Sequence, residues 1–90
     1  MKLVIVAVMD LAAKAFNRPF FVPSVGVALR SFGDEVNRNA GDNTMYHHPE
    51  HFVLYEFGVW DESTGHFALL DSPKILVQAV DCKVLNHAKA

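Results

Sequence analysis

The sequence predicts one α+β domain, an antiparallel or mixed sheet of about four strands with one main amphipathic helix packed on one face. Three observations predict it. Leu3–Met9 is an unbroken apolar run rich in Val and Ile, the pattern of a central strand covered on both faces. Val25, Ala28, Leu29, Phe32 and Val36 recur at helical spacing, and about 100° per residue gathers them into one stripe. Phe52–Trp60 alternates along a strand and ends in Asp-Glu-Ser-Thr-Gly, a hairpin turn.

Ninety residues make one domain, residues 1–90, and a chain of this size buries only about 60–65% of its unfolded surface. Fifty-one per cent of the residues are hydrophobic, so apolar area is left over and a homo-oligomer, dimer or higher, is expected. The net charge is −2. Residues 1–43 hold five Lys/Arg and four Asp/Glu, while residues 44–90 hold three and six. That balance excludes a polybasic nucleic-acid binder, so any contact with phosphate must come from a few placed arginines. Cys82 is the one cysteine, which excludes an internal disulfide and fits a reducing compartment. Lys2 before an apolar run has the look of a signal peptide. The run stops at Asp10, short for such a segment and far too short to span a bilayer, so it reads as a strand.

Taken in order, Asp10–Asn17 reads as a loop or short helical turn capped by Asp10. Arg18–Val22 reads as a strand that tolerates Pro19 at its start or on an edge. Ser24 is an N-cap for a helix over 24–38, and Pro23 ends the strand before it. Asn37–Asn43, with Gly41, is a polar loop. In Phe52–Trp60, strict alternation puts Val53, Tyr55, Phe57 and Val59 on one face and Phe52, Leu54, Glu56, Gly58 and Trp60 on the other. Gly65 supplies a left-handed residue that returns the chain into a strand at His66–Leu70. Ser72–Pro73 then resembles an N-cap and first helical position, which favours a short helix over Lys74–Asp81, although its β-branched content also suits a strand.

Few residues point to chemistry. His47, His48, Glu50 and His51, with His66 later, supply metal-ligand types without an established spacing. His48 and His51 are the weak metal candidates, and the rival expectation is a Pro49–Glu50 turn that orients the long strand, with His48 bonding to nearby backbone. No nucleophile has an evident base, Cys82 lacks a catalytic signature, and neither a Walker loop nor a dinucleotide fingerprint is present. The expectation is a non-enzyme without a cofactor.

Gly26, Arg30, Gly33 and Asn37 line up along the helix beside its apolar stripe. Two glycines flatten that strip around an arginine, so a second subunit or a phosphate chain could approach closely. The alternative is that Gly26 frays, Gly33 packs on a bulky core residue and Arg30 pairs with Asp34. Trp60, Phe52, Tyr46 and Phe20 are candidates for base stacking if the second sheet face is open. Otherwise they complete the core or a subunit interface.

Taken together, these pieces resemble a known family, the small nonstructural protein of gokushoviruses, single-stranded DNA microviruses (Microviridae) of bacteria. The resemblance rests on a Pro-Phe-Phe strand, a small-residue helix centred on Arg30 and Phe32, and its end at Glu35, Val36 and Asn37. It continues with the His48-Pro49-Glu50 turn, the aromatic strand and a hairpin with Asp61, Thr64 and Gly65. It covers about Met1 to Val80; the His47–His48 doublet and the tail after Cys82 depart from it. The resemblance implies a bacteriophage protein of the host cytoplasm, absent from the virion, that binds DNA or helps switch replication toward packaging of the single-stranded genome. It brings no catalytic residues. Arg18, Arg30, Arg38 and Trp60 are then the expected nucleic-acid contacts, and oligomerisation would merge arginines of several subunits into one basic surface. The rival reading is a protein-only module that binds the replication initiator or the procapsid.

Overall fold

The structure is a computed structural model that describes residues 1–84; the family-atypical tail lies largely outside them. It contains strands β1 (Lys2–Asp10), β2 (Ala15–Phe16), β3 (Phe20–Val22), β4 (Phe52–Asp61) and β5 (Phe67–Gln78). Helix α1 spans Val25–Val36 and the one-turn helix α2 spans Thr44–His47. All five strands join one antiparallel sheet. β1 is central: β4 runs along one side of it, β2 and β3 share the other, and β5 closes the far edge beyond β4. The expected strand count of about four becomes five, because β2 pairs only at Met9–Phe16 and Asp10–Ala15.

Asp10 acts as expected in the first turn, where its Oδ1 accepts from the N–H groups of Ala12 (3.0 Å) and Ala13 (3.1 Å). Lys14 then takes a left-handed conformation, φ 58°, and the chain reverses into β2. Ser24 caps α1, its Oγ accepting from the Val27 N–H at 3.2 Å. Ala28, Phe32 and Val36 bury against Val6, Val8, Val22 and Leu54 on one sheet face. Leu29 was expected in that stripe but remains exposed, because the seating of α1 turns it past the edge of the core. α1 ends at Val36, short of the expected Arg38.

Asn43 is the one buried polar residue among those described. Its Nδ2 donates to the Glu35 (2.7 Å) and Arg38 (2.8 Å) carbonyls, and its Oδ1 accepts from the Met45 N–H at 3.2 Å. One side chain thus closes α1 and opens α2, a helix just beyond the expected loop where the sequence predicted no element.

In β4 the register shifts where Val6 pairs with Glu56 and Ile5 with Gly58, so Phe57 is an extra residue. Such a bulge reverses the alternation beyond it. The expected face assignment therefore fails at Val59 and Trp60: Val59 pairs with Val4 on the helix side, while Trp60 shares the opposite face with Tyr55. Gly58 makes this possible at φ 143°. A Cβ there would strike the Ala68 carbonyl oxygen and lie 2.7 Å from Leu69 Cα.

The Asp61–Gly65 hairpin forms as expected. Gly65 sits at φ 77°, its N–H donates to the Asp61 carbonyl at 2.6 Å, and Asp61 Oδ1 accepts from Ser63 Oγ at 2.6 Å. The helix expected over Lys74–Asp81 does not form. β5 continues to Gln78, with Ile75 paired to Tyr55 and Val77 to Leu54, and a 3₁₀ turn follows at Ala79–Cys82. Pro73 is tolerated because β5 is an edge strand and bulges around it. Between the Gly58–Leu69 and Glu56–Lys74 pairs, β4 has one residue and β5 has four, Leu70–Pro73. No helix among the described residues is long and apolar enough to cross a membrane.

Candidate functional site

Because α1 lies across one face of the sheet, no element among the described residues covers the other face. The residues pointing there are apolar. β1 contributes Ile5 and Ala7, and its partners on that side are Phe16, Phe21, Gly58 and Tyr55. β5 adds Phe67, Leu69 and Ile75. Phe21, Phe67, Leu69 and Ile75 are 44%, 59%, 65% and 54% exposed, which is unusual for side chains of this size clustered on one face. β1 itself is buried on both faces as expected, Ile5 and Ala7 being 5% and 2% exposed beneath these side chains, although a helix covers one face only.

The face is ordered by ring contacts. Phe16 meets Tyr55 and Phe57 edge-on, with centroids 5.2 and 5.1 Å apart. Phe21 packs edge-on against Trp60 at 5.7 Å, and Trp60 lies 6.3 Å from Phe67. Between these clusters runs a groove of about 340 Å³ floored by Ile5 and Ala7 and walled by Phe16, Phe21, Phe57 and Leu69. Among the described residues, Asn17 supplies its one polar side chain and no charged residue lines it. The bulge at Phe57 shapes the groove, since Phe57 lines it and the reversed alternation beyond the bulge brings Trp60 to this side.

The stacking candidates divide. Trp60 lies on the open face, whereas Phe52 is buried beneath α1 and Phe20 pairs with Val6 on the helix side. Tyr46 sits in α2 with Lys83 Nζ 3.7 Å from its ring centroid. Phe16, Phe21 and Phe67 complete the aromatic face; reading Phe16 as part of a turn hid the first, and strict alternation along β4 hid the clustering of Phe21 and Phe67 around Trp60.

The arginines do not converge on that face. Arg30 is exposed on α1, away from the buried Ala28, Phe32 and Val36, so the sheet separates it from Trp60. It forms no ion pair among the described residues, including the expected one with Asp34. Arg38 is engaged: its Nε and Nη2 donate to the two Glu35 carboxylate oxygens at 2.9 and 2.7 Å, which holds the Glu35 carboxyl below its ordinary range. Arg18 lies exposed in the β2–β3 connection, next to Asn17 at the rim of the groove.

Along the small-residue strip, Gly26 is exposed and Gly33 has nothing within 4 Å of its missing side chain. The packing partner expected for Gly33 is absent among the described residues, so the strip is open at both glycines. Asn37 is used internally, its Nδ2 donating to the Gly33 and Cys82 carbonyls at 2.8 Å each and its Oδ1 accepting from the Val84 N–H.

His48, Glu50 and His51 come together in a 3₁₀ turn, Pro49–His51, which matches the expected turn before β4. The expected backbone bond from His48 is instead made by the neighbouring His47, whose Nε2 lies 3.0 Å from the Ala40 carbonyl. Cys82 carries no sign of activation: burial, aided by Asp81, pushes its thiol up, and a raised thiol is a poor nucleophile.

No curated protein and no solved structure matches this chain. One family does, and its model, described as phage ORF5 protein, aligns with residues 3–82, from the first residues of β1 to the end of the 3₁₀ turn after β5. The aligned stretch contains the whole sheet, the bulge and the open aromatic face, and the chain therefore belongs to the phage ORF5 protein family.

Proposed function

We propose that this chain is a non-enzymatic accessory protein of a gokushovirus-type single-stranded DNA phage, acting in the host cytoplasm as a homo-oligomer. Its contact surface is the open aromatic sheet face, and the occupant is a second copy. The observation that carries this reading is a sheet face lined by apolar side chains, with no charged residue among the described residues that line its groove. Four strand positions about 4.8 Å apart, along some 30 Å of β1, give a projected patch on the order of 600 Å². Stable interfaces bury about 600–1,000 Å² per partner.

Two further features favour a copy of this chain over another occupant. A groove without charged side chains offers phosphate no partner, while the same face on a twofold-related copy is self-complementary. Pro73, Asp71 and Lys74 mark the β5 edge, and such residues discourage edge-to-edge pairing. Association face to face is the arrangement left.

Single-stranded DNA is the second reading, supported by Trp60, Phe21 and Phe67 grouped on one face with Arg18 at its rim. If copies pair through that face, the Gly26–Gly33 strip and Arg30 remain outside for DNA, the initiator or the procapsid. Titration of the full chain with a fluorescent oligonucleotide at rising salt separates these. Affinity that falls steeply with salt and is lost in Arg30→Ala supports DNA contact on the outer strip. Loss in Trp60→Ala with Arg30→Ala unchanged places DNA on the sheet face and contradicts self-association there. Absence of binding at low salt leaves the protein-only role.

A further inference from the structure

We propose that His48, Glu50 and His51 form a binding site for a divalent transition-metal ion of the zinc class. Each offers one ligand atom, and the three atoms lie within 4.8 Å of one another. Glu50 Oε2 is 3.7 Å from His48 Nδ1 and 3.7 Å from His51 Nε2. Ligand atoms held about 2.0–2.1 Å from a tetrahedral ion are about 3.3 Å apart. Both histidine–glutamate separations are therefore within half an ångström or so of that value.

At 3.7 Å these groups converge without hydrogen-bonding to each other. The two imidazoles lie nearly parallel, centroids 5.6 Å apart and planes 21° apart.

The backbone holds the three side chains in place. Pro49 opens the turn, the His51 N–H donates to the His48 carbonyl at 3.1 Å, and the His51 carbonyl accepts from the Leu11 N–H at 2.7 Å. The next residue, Phe52, is fixed in the core. His47, bound to the Ala40 carbonyl, is not part of the set. Two imidazoles and one carboxylate select zinc, copper or nickel over magnesium or calcium, whose sites are built from oxygen. All three residues remain accessible, which leaves a fourth position for water or for a ligand from another molecule. The site lies at the start of β4 and does not depend on how copies associate.

The test is calorimetric titration of the full, tag-free chain with zinc chloride, paired with cobalt(II) absorption spectra. The expected result is saturation at one ion per chain, with the dissociation constant raised at least tenfold in His48→Ala, His51→Ala and Glu50→Gln and unchanged in His66→Ala. Zinc should also raise the thermal midpoint of the parent chain and not of these variants. Glu50→Gln preserves the shape of the turn, so its loss of binding is read even if a histidine variant unfolds. Binding that is absent, that never saturates, or that falls equally in His66→Ala overturns the proposal.

Discussion

Gly58 and Gly65 both occupy left-handed backbone, at φ 143° and 77°, yet for different reasons. Gly65 faces open space and needs only the conformational freedom of a hairpin turn. Gly58 also lets β5 approach so closely that a single methyl group would overlap it. Gly65→Ala is expected to cost about 1–2 kcal/mol. Gly58→Ala should cost at least about 3 kcal/mol, strain and steric overlap together. Urea denaturation of the two variants checks the contrast, and equal losses would mean that the bulge relaxes freely. Gly65 was legible from its turn sequence. Gly58 was not, because a bulge depends on the partner strands, and an alternating stretch such as Phe52–Trp60 carries no mark of where one residue will be skipped.

At the scale of elements, local chemistry fixed the ends and tertiary pairing fixed the rest. Ser24 placed the start of α1, and Asp61–Gly65 placed the hairpin, since a cap or a turn uses only neighbouring backbone groups. The stretch Lys74–Asp81 satisfied both a helix and a strand locally. It became a strand because Tyr55 and Leu54 leave ladder positions that Ile75 and Val77 fill. β2 and α2 were too short for periodicity to reveal. α1 is held mainly by its buried face: Phe32 is 3% exposed, against Val6, Val8 and Leu54 in one cluster. Phe32→Ala is expected to lose about 3–5 kcal/mol, whereas Ser24→Ala, which removes one cap bond, should lose only about 1 kcal/mol. Thermal or urea unfolding followed by circular dichroism measures both, and similar losses would mean that α1 is not anchored by its buried face.

Over the whole molecule, stability should depend on acid in a definable direction. The Arg38 hydrogen bonds lower the Glu35 carboxyl, and the Ser63 hydrogen bonds lower that of Asp61. A carboxyl lowered by folding contributes stability that is fully present above its unfolded value and lost as pH falls through its folded value. Stability should thus be flat at neutral pH and decline below the ordinary carboxylate range. Glu35→Gln should make that decline shallower, measured by urea midpoints across the acid range; an unchanged slope would remove Glu35 from the account. The candidate surface was legible in the sequence only as surplus apolar content. Which residues form it depended on the bulge at Phe57, which turns Trp60 to the face already holding Phe16, Phe21 and Phe67.

The radius of gyration is 14.3 Å, where a compact chain of ninety residues would have about 12 Å, in keeping with a sheet covered on one side. The central claim is that a second copy covers the other side. Sedimentation equilibrium of the full chain across micromolar concentrations tests it most directly, with Leu69→Lys on the open face and Arg30→Ala on the helix as the paired variants. The account predicts a dimer or larger assembly for the parent and Arg30→Ala, and a folded monomer for Leu69→Lys. A parent chain that stays monomeric at high micromolar concentration, or a Leu69→Lys variant that assembles as the parent does, would contradict it.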